Sequence, residues 1–269
     1  MNRADVASAA PTVRIGGRSV GAQERVFVIA EAGVNHNGDV GMARSLIEAA
    51  REAGADAVKF QMFHAEALVA ASAPTCDYQQ RHGPHAETQR DMLRRLELDP
   101  SDMVELKSYA DRCGIQFLAT PFGLSELDHL IRMDVAAVKI ASTDIVNVPL
   151  LTAAAASGRP IILSTGASTL EEIDTAVALL RRHATLLRLV LLHCVSAYPT
   201  PQNGARLATI RILADRYGVP VGFSDHTEDA SFSALAVAAG SCVLEKHVTL
   251  DRTLPGPDHF FALEPDGLA

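Results

Sequence analysis

Short apolar runs recur along the chain, and each one ends in polar residues that precede a helical pattern. The runs are six to ten residues long and rich in Val, Ile, Leu and Phe, which is typical of buried strands. In chain order the eight runs are VFVIAE, DAVKFQ, IQFLATPF, VAAVKIAS, RPIILSTG, LRLVLLHCVS, VPVGFSDH and SCVLEKH. Strands that alternate with helices in this way predict a (β/α)₈ TIM barrel whose strand C-termini share one mouth.

A doubly wound open sheet is the alternative arrangement of the same elements. An open sheet concentrates its functional side chains at one switch point, whereas polar residues end the strands throughout this chain. No Gly-x-Gly-x-x-Gly motif follows a strand, which also argues against a dinucleotide fold. We therefore expect the barrel.

The regions outside the repeat predict a hairpin and a long loop. Residues 12–21 alternate around Gly16-Gly17 and indicate a short N-terminal β-hairpin that plugs one end of the barrel. We expect residues 1–11 to be disordered and residues 12–265 to form the barrel domain. The polar stretch at 64–88 predicts a loop that acts as a lid, and its histidines are expected, like His36, at the surface or on that lid.

Helix starts are marked by capping residues. Asp39, Ser101 and Thr169 are each placed to act as an N-cap, because their side-chain oxygens can accept from the first free backbone N–H groups. Pro149 is expected to open the helix after the fourth strand, since proline is favoured in a first helical turn.

Parity along the strands predicts which side chains point into the barrel, because successive side chains alternate between faces. Lys59 and Gln61 share a face of the second strand, and the small Ala137 and Ala141 leave room beside Lys139 in the fourth. The same reasoning brings two lysines, two histidines and two glutamates to one mouth of the barrel: Lys59, Lys139, His226, His247, Glu31 and Glu245.

Lys59 and Lys139 lie inside apolar runs, where an unpaired ammonium group is costly. A solvated surface lysine is therefore the weaker interpretation. Buried cations at a barrel mouth favour an anionic ligand, and a phosphate together with a carboxylate would satisfy both lysines. Hydroxyl groups at strand ends could complete a phosphate cradle: Ser142, Ser164, Thr165 and Ser224.

His226 and His247 end the seventh and eighth strands. Either one alone would more often be an ordinary histidine at a strand end. Because parallel neighbouring strands end at the same edge, the two imidazoles should be close together despite the sequence between them. Two imidazoles with neighbouring carboxylates indicate an open site for a divalent metal ion.

Composition excludes several other classes. Of the 269 residues 48% are hydrophobic and 21% charged, with neither a membrane-length apolar run nor a signal-peptide core, so we expect a cytoplasmic protein without a membrane partner. The net charge of −8 argues against a nucleic-acid surface. The four cysteines are widely separated, which suits a reducing compartment and predicts small buried side chains.

Eight ordered motifs resemble the sialic acid synthase family: EAGVNHNG, GADAVKFQ, FLATPF, VKIAS, LSTGAS, LHCVSAYPTP, GFSDHT and EKHVTLD. The resemblance runs from about Ile15 to about Pro265. It implies a barrel enzyme that condenses phosphoenolpyruvate with an amino-sugar aldehyde and makes a nine-carbon 2-keto-3-deoxy acid. It also implies a divalent ion, Mn²⁺ or Mg²⁺, and a homodimer.

The resemblance further implies a role for each matching residue. His226 and His247 match the metal ligands, and together with Glu31, Lys59 and Lys139 they make up the expected catalytic set. The positions expected around the phosphoenolpyruvate phosphate are Lys139, Ser142, Ser164 and Ser224, and those near its carboxylate are Lys59 and Thr120. The positions expected to meet the sugar are Glu31, Gln61, Tyr198 and Asp258.

Two departures from the family pattern concern the acceptor sugar. Ser196, a further substrate-binding position, stands where N-acetylneuraminate synthases usually have Asn, and Asp144 stands where they usually have Glu. Ser-Ala-Tyr at 196–198 is closer to the pattern of pseudaminate synthases. The acceptor is therefore expected to be N-acetylmannosamine or a related diacetamido hexose.

The end of the sequence leaves two alternatives open. Most family members continue into a small antifreeze-like domain, which is absent from this chain, so the sequence is either truncated or a barrel-only member of a spore-coat or surface polysaccharide pathway. Such a barrel could bind substrate with weak or no synthase activity. A Schiff-base aldolase that uses Lys59 or Lys139 as its nucleophile is the remaining enzymatic alternative.

Overall fold

Eight parallel strands close into a barrel, which confirms the predicted (β/α)₈ fold. The computed structural model describes residues 10–82, 87–184 and 187–269. The two strands of the hairpin precede the barrel and are β1 Thr12–Ile15 and β2 Arg18–Gly21. The barrel strands are β3 Phe27–Gly33, β4 Ala57–Met62, β5 Gln116–Pro121, β6 Val138–Ile140, β7 Ile161–Ser164, β8 Leu189–Cys194, β9 Val221–Asp225 and β10 Val243–His247. Strand β10 pairs with both β9 and β3 and so closes the barrel.

Helices cover the outside of the barrel. In chain order they are α1 Val40–Glu52, α2 Ala65–Leu68, α3 Asp77–His82, α4 Gln89–Leu96, α5 Pro100–Cys113, α6 Leu124–Arg132, α7 Val148–Ala156, α8 Leu170–His183, α9 Ala208–Tyr217, α10 Ser231–Ala238 and α11 Pro265–Leu268. Short 3₁₀ turns lie at Ser142–Asp144, Gln202–Gly204 and His259–Phe261. Among the described residues, no helix combines the length and the apolar character that crossing a membrane requires.

The predicted helix caps are confirmed with one exception. Asp39 accepts from the backbone N–H of Met42, Thr169 forms a capping box with Glu172, and Pro149 lies in the first turn of α7. The exception is Ser101, because α5 begins earlier, at Pro100, with Asp99 as its N-cap. The Asp99 carboxylate accepts from both the backbone N–H and the hydroxyl of Ser101, so Ser101 serves as a donor inside the first turn.

Two apolar layers follow the predicted alternation of the strands. One face of each strand packs against the helices, with Val58, Phe60 and Val138 among the residues of this outer core. The opposite face fills the barrel interior with a second cluster: Phe27, Ile29, Ala57, Leu118, Ala137, Ile162, Val190, Leu192, Cys242 and Val243.

The N-terminal hairpin closes one end of the barrel, as predicted. Strands β1 and β2 pair through Val13 and Val20, and Ile15 is fully buried beside them in the interior cluster. The polar mouth therefore lies at the opposite end, where the strands have their C-termini. The predicted disordered segment at 1–11 falls outside the described residues except for positions 10 and 11.

The stretch at 64–88 is more ordered than the sequence indicated. It contains α2 and α3, and an isolated β-bridge joins Pro74 to Thr88. The prediction of one long loop is therefore wrong where α2 and α3 form. Residues 83–86, which include His85, lie outside the described residues, as does the side chain of His82.

Candidate active site

A cavity of about 250 Å³ opens where the barrel strands end. Twelve of the thirteen residues to which the family resemblance assigns a role line this cavity: Glu31, Lys59, Gln61, Thr120, Lys139, Ser142, Ser164, Ser196, Tyr198, Ser224, His226 and His247. The thirteenth, Asp258, lines a neighbouring cavity that shares Gln61, Tyr198 and His247 with the first. The structure thus brings these thirteen residues together at the mouth. Thr165, a further hydroxyl expected in the phosphate cradle, does not line the first cavity, and its Oγ1 donates to the carbonyl oxygen of Leu192.

The floor of the cavity is a network of buried charges. Lys59 and Lys139 are each only 3% exposed. The Lys59 ammonium lies 2.6 Å from Glu31 Oε2 and 3.6 Å from Glu245 Oε2, and the Lys139 ammonium lies 3.7 Å from Glu245 Oε1. Glu245 therefore bridges the two lysines. Strand alternation predicts that Glu245 lies at the mouth, but the sequence does not predict this bridging role.

Burial and mutual attraction shift these groups in different directions. Burial of Glu245 would raise its pKa, but the charges of Lys139 and Lys59 outweigh burial and hold the pKa of this carboxyl at about 2. Burial raises the pKa of Glu31 to about 7 although Lys59 opposes the shift. Burial lowers the pKa of Lys139, whereas for Lys59 the carboxylates of Glu245 and Glu31 outweigh burial and raise the pKa. The Glu245 carboxylate therefore stays negatively charged at neutral pH.

Hydroxyl and backbone groups surround the two ammonium groups. The Lys139 ammonium donates to Ser164 Oγ at 2.7 Å, and the Lys59 ammonium donates to Thr120 Oγ1 at 3.2 Å. The backbone N–H of Gly166 donates to Ser142 Oγ at 2.9 Å. A Cβ on Gly166 would lie only 2.6 Å from Cys194 Sγ, so this loop can approach the cavity only with a glycine there.

Cys194, expected to be an ordinary buried side chain, lines the cavity. Its sulfur lies 3.1 Å from Ser142 Oγ, and burial raises the pKa of the thiol. The Cys194 thiol therefore stays protonated and lines the site without the reactivity of a thiolate. Phe122 and Thr143 also line the cavity and were not selected, because their positions just beyond strand ends carried no chemical signal.

The predicted proximity of His226 and His247 is confirmed. The ring centroids of His226 and His247 lie 5.6 Å apart. His226 Nδ1 lies 2.9 Å from the carbonyl oxygen of Val195, which can only accept, so Nδ1 carries the proton and Nε2 keeps its lone pair. His247 Nδ1 is buried without a hydrogen-bond partner and lies 3.9 Å from Asp258 Oδ2. Burial lowers the pKa of both imidazoles, so both are neutral at pH 7.

These properties fit a divalent transition-metal ion. Neutral imidazoles with an uncommitted nitrogen are the usual nitrogen donors to such ions, and the Nδ1 contact orients His226 as an outer hydrogen bond typically does. Within the described ranges, no group of three or more His, Cys, Asp or Glu side chains is arranged to hold a metal. The residues that could bind such an ion here are His226 and His247.

An aromatic wall stands beside the imidazoles. The Tyr198 ring centroid lies 4.3 Å from that of His226 and 5.5 Å from that of Tyr78 on α3, with which it stacks. Helix α3 thus reaches the mouth through Tyr78, a residue that the sequence analysis did not select.

Asp225 and Lys246, which adjoin the two histidines in sequence, lie on the opposite face of the sheet. They form an ion pair of 3.2 Å, and Asp225 also accepts from Thr227 and Ser233. Their role is therefore to hold the strand ends that carry the imidazoles.

The expectation that His36 is a surface residue is wrong, since it is 1% exposed. Its Nδ1 accepts from the backbone N–H of Gly38. His259 covers the same loop, with Nδ1 at 2.6 Å from Thr249 Oγ1 and Nε2 at 3.3 Å from Asn37 Oδ1. His64 is a surface residue, as expected, and contacts Glu97.

Comparison with known proteins places the chain in a family. A model of the NeuB family matches residues 46–269. This chain belongs to the NeuB family. The predicted resemblance to sialic acid synthases, and the prediction of an enzyme of that type, are confirmed.

Named relatives support the same assignment. The chain is 43% identical over 249 residues to an N,N'-diacetyllegionaminic acid synthase of Legionella pneumophila, covering 91% of this NeuB-family chain and 70% of that protein. It is 37% identical to the spore coat polysaccharide biosynthesis protein SpsE of Bacillus subtilis, covering 95% of this chain and 68% of that one.

Solved structures agree with the fold. An N-acetylneuraminic acid synthetase from Leptospira borgpetersenii, crystallised with citrate, superposes with a TM-score of 0.86 at 37% identity and covers 96% of this chain and 85% of that one. A truncated 3-deoxy-D-arabino-heptulosonate 7-phosphate synthase from Thermotoga maritima gives a TM-score of 0.73 at 14% identity and supports the barrel fold alone.

Proposed function

We propose that the enzyme condenses phosphoenolpyruvate with the aldehyde of an N-acylated amino sugar and releases inorganic phosphate. C3 of phosphoenolpyruvate forms a bond to the aldehyde carbon, water adds at C2, and the C2–O bond to phosphate breaks. The product is a 2-keto-3-deoxy acid of the sialic acid type. The observation that carries this proposal is one cavity with two buried lysines at its floor and two neutral imidazoles in its wall.

The lysines are suited to bind the phosphoenolpyruvate anion. In the free protein the floor is balanced internally by Glu31 and Glu245, so the arriving anion competes with these carboxylates for the ammonium groups. The phosphate would be held by Lys139 with Ser142, Ser164 and Ser224, and the carboxylate by Lys59 with Thr120. Because both ammonium groups are nearly inaccessible to water, their attraction for an anion is stronger than at a surface.

Groups nearer the opening would bind the sugar and manage protons. Gln61, Tyr198, Ser196 and Asp258 supply the polar atoms on this side. The pKa of Glu31 near 7 suits a group that transfers a proton at neutral pH, and its carboxylate lies at the junction of Lys59 and Gln61.

We further propose that His226 and His247 hold a divalent metal ion, Mn²⁺ or Mg²⁺. Such an ion would supply Lewis-acid polarisation of the aldehyde oxygen when bound. The two imidazole nitrogens fit Mn²⁺ better than Mg²⁺, which prefers oxygen ligands.

The test is phosphate release from phosphoenolpyruvate by the purified protein with Mn²⁺ and a panel of amino sugars. The panel contains N-acetylmannosamine, 2,4-diacetamido hexoses and, as a control, mannose, and each reaction is repeated with EDTA. We expect release that requires both an N-acylated sugar and metal. Absence of phosphate release with every sugar, while calorimetry still shows phosphoenolpyruvate binding, would favour a barrel that binds substrate without catalysis.

A Schiff-base aldolase is the second candidate, because burial lowers the pKa of Lys139 as a nucleophilic lysine requires. Borohydride reduction in the presence of pyruvate distinguishes the two. A covalent adduct on Lys59 or Lys139 in the mass spectrum would show that the enzyme is a Schiff-base aldolase and would refute the synthase proposal.

A further inference from the structure

A cavity of about 650 Å³ lies at the closed end of the barrel, beside the N-terminal hairpin. Its walls are the hairpin turn at Gly16, the second half of α5, the start of β5 and the segments that lead into β6, β7 and β8. Among the described residues, none lines both this closed-end cavity and the catalytic cavity. Its volume lies within the roughly 300–1,000 Å³ of common small-molecule sites.

The apolar interior of the barrel separates the closed-end cavity from the lysine floor. Along β5, Gln116 lines the closed-end cavity, Leu118 is fully buried in the interior cluster, and Thr120 lines the catalytic cavity. Ala137 and Ile162 fill the same apolar layer beside Leu118. A ligand at the closed end therefore cannot reach the reacting atoms at the mouth.

Positive charge predominates in the closed-end cavity. Four cationic side chains and two carboxylates line it: Arg14, Lys107, Arg159, Arg188, Asp111 and Asp134. This local excess of positive charge occurs in a chain whose net charge is −8. Clustered cations in a concave site favour an anionic ligand.

Two of the four cations are neutralised within the protein. Lys107 Nζ lies 2.6 Å from Asp111 Oδ2, and the guanidinium group of Arg159 pairs with Asp134. Because each carboxylate is paired in this way, neither presents an uncompensated negative charge to an arriving anion.

Arg14 and Arg188 are the cations that remain for a ligand. Among the described residues neither has a carboxylate partner, since Arg14 donates to the carbonyl oxygen of Gly17 at 3.2 Å and Arg188 donates to that of Gly158. Nε of Arg188 is buried without a hydrogen-bond partner. A guanidinium group carries five N–H donors, and its forked geometry matches a phosphate group.

The remaining polar groups suit a molecule that carries hydroxyl groups. The Gln116 amide forms no hydrogen bond within the described part of the chain, and it lies against the hairpin turn, where a Cβ on Gly16 would lie 2.5 Å from Oε1. Asp111 and Asp134 each use one oxygen in an ion pair, and their side chains are 53% and 77% exposed. Their other oxygens can accept from hydroxyl groups.

The other lining side chains argue against a nucleotide. Ser157 Oγ donates to the carbonyl oxygen of Ala154 and accepts from the backbone N–H of Arg159, so it is already partnered. Phe117 is 2% exposed and stacks on Phe60, so its ring offers no face to a nucleobase. A phosphorylated sugar therefore fits the cavity better than a nucleotide.

We propose that the closed-end cavity binds a sugar phosphate. Arg14 and Arg188 bind the phosphate group, and the Gln116 amide and the two carboxylates bind the sugar hydroxyls. Because this ligand lies away from the catalytic cavity, it is an additional ligand and not a reactant. Its binding needs no synthase activity, so a failure of the proposed function would leave it standing.

The test is calorimetric titration of the full chain with glucose 6-phosphate, inorganic phosphate and glucose, in EDTA and without phosphoenolpyruvate. We expect glucose 6-phosphate to bind at least about threefold more tightly than inorganic phosphate, because hydrogen bonds to the sugar hydroxyls add to those of the phosphate. Glucose should show no binding. Arg14→Gln and Arg188→Gln should each weaken the binding of glucose 6-phosphate about tenfold or more, since each removes a charge-assisted hydrogen bond.

Two control variants leave the closed end intact. Arg211→Gln removes an arginine on α9 whose side chain is 84% exposed. Lys139→Ala alters the catalytic cavity, where the phosphate of phosphoenolpyruvate is expected to bind. Both should keep the wild-type Kd for glucose 6-phosphate, and thermal melting of all four variants shows that each one folds.

Three results would overturn the proposal. The site is excluded if neither glucose 6-phosphate nor inorganic phosphate binds, or if Arg14→Gln and Arg188→Gln both keep the wild-type Kd. Loss of binding in Lys139→Ala alone would place the anion in the catalytic cavity instead. Inorganic phosphate that binds as tightly as glucose 6-phosphate would overturn the assignment to a sugar phosphate.

Discussion

Replacement of Glu245 by Gln tests the charge network at the floor of the barrel. Each attraction between Glu245 and a lysine, at 3.6 and 3.7 Å, amounts to roughly 4–5 kcal/mol at an effective dielectric of about 20, before desolvation is subtracted. Removal of one member of a buried ionic network typically costs about 3–5 kcal/mol, because the remaining charges stay buried without their partner. At about 2–4 °C per kcal/mol for a chain of this size, Glu245→Gln should lower the Tm by roughly 6–20 °C.

Anions should reverse this loss in a specific way. If the lysines bind phosphoenolpyruvate, the ligand replaces the missing carboxylate, so phosphoenolpyruvate should raise the Tm of Glu245→Gln more than that of the wild type. Differential scanning calorimetry with and without phosphoenolpyruvate measures both effects. The control is Glu52→Gln at the exposed end of α1, which should change stability by less than about 0.5 kcal/mol. A Tm within about 2 °C of the wild type for Glu245→Gln, or equal stabilisation of both proteins by the ligand, would refute the reasoning.

Three further predictions concern the site and its support. Lys139→Ala should raise the KM for phosphoenolpyruvate far more than the KM for the sugar, and equal changes in steady-state kinetics would contradict its assignment to the phosphate. His247→Ala should abolish metal-dependent turnover and weaken Mn²⁺ binding measured by calorimetry, while the circular dichroism spectrum stays unchanged. Full activity of this variant with metal present would show that His247 is not a metal ligand. Gly222→Ala should lower the free energy of unfolding by about 1–3 kcal/mol in chemical denaturation, because the added Cβ would lie 2.5 Å from the carbonyl oxygen of Val243. Unchanged stability would show that the barrel interior can expand at this position.

The barrel and its mouth could be predicted from the sequence because the relevant signals are local. Alternation along each strand separates Lys59 from Val58, and short parallel strands bring His226 and His247 to the same edge. Capping residues such as Thr169 also act within one helical turn. These patterns need no knowledge of distant segments.

The features that were missed depend on contacts between distant segments. His36 looked like a loop residue, but His259, more than two hundred positions away, covers its loop through Asn37. Tyr78 lies in a polar stretch without helical periodicity, and only its stacking on Tyr198 reveals its place at the site. Cys194 resembled any core cysteine until the loop at Gly166 was seen to approach it.

The hairpin at the closed end has a consequence for the order of events in catalysis. Because Val13, Ile15 and Val20 seal the barrel interior from below, a ligand reaches the buried lysines through the mouth, past Ser196 at its exposed rim. A sugar that fills the mouth would block that route. We therefore expect compulsory-order kinetics, in which phosphoenolpyruvate enters before the sugar and phosphate departs last, so that inorganic phosphate competes with phosphoenolpyruvate and not with the sugar.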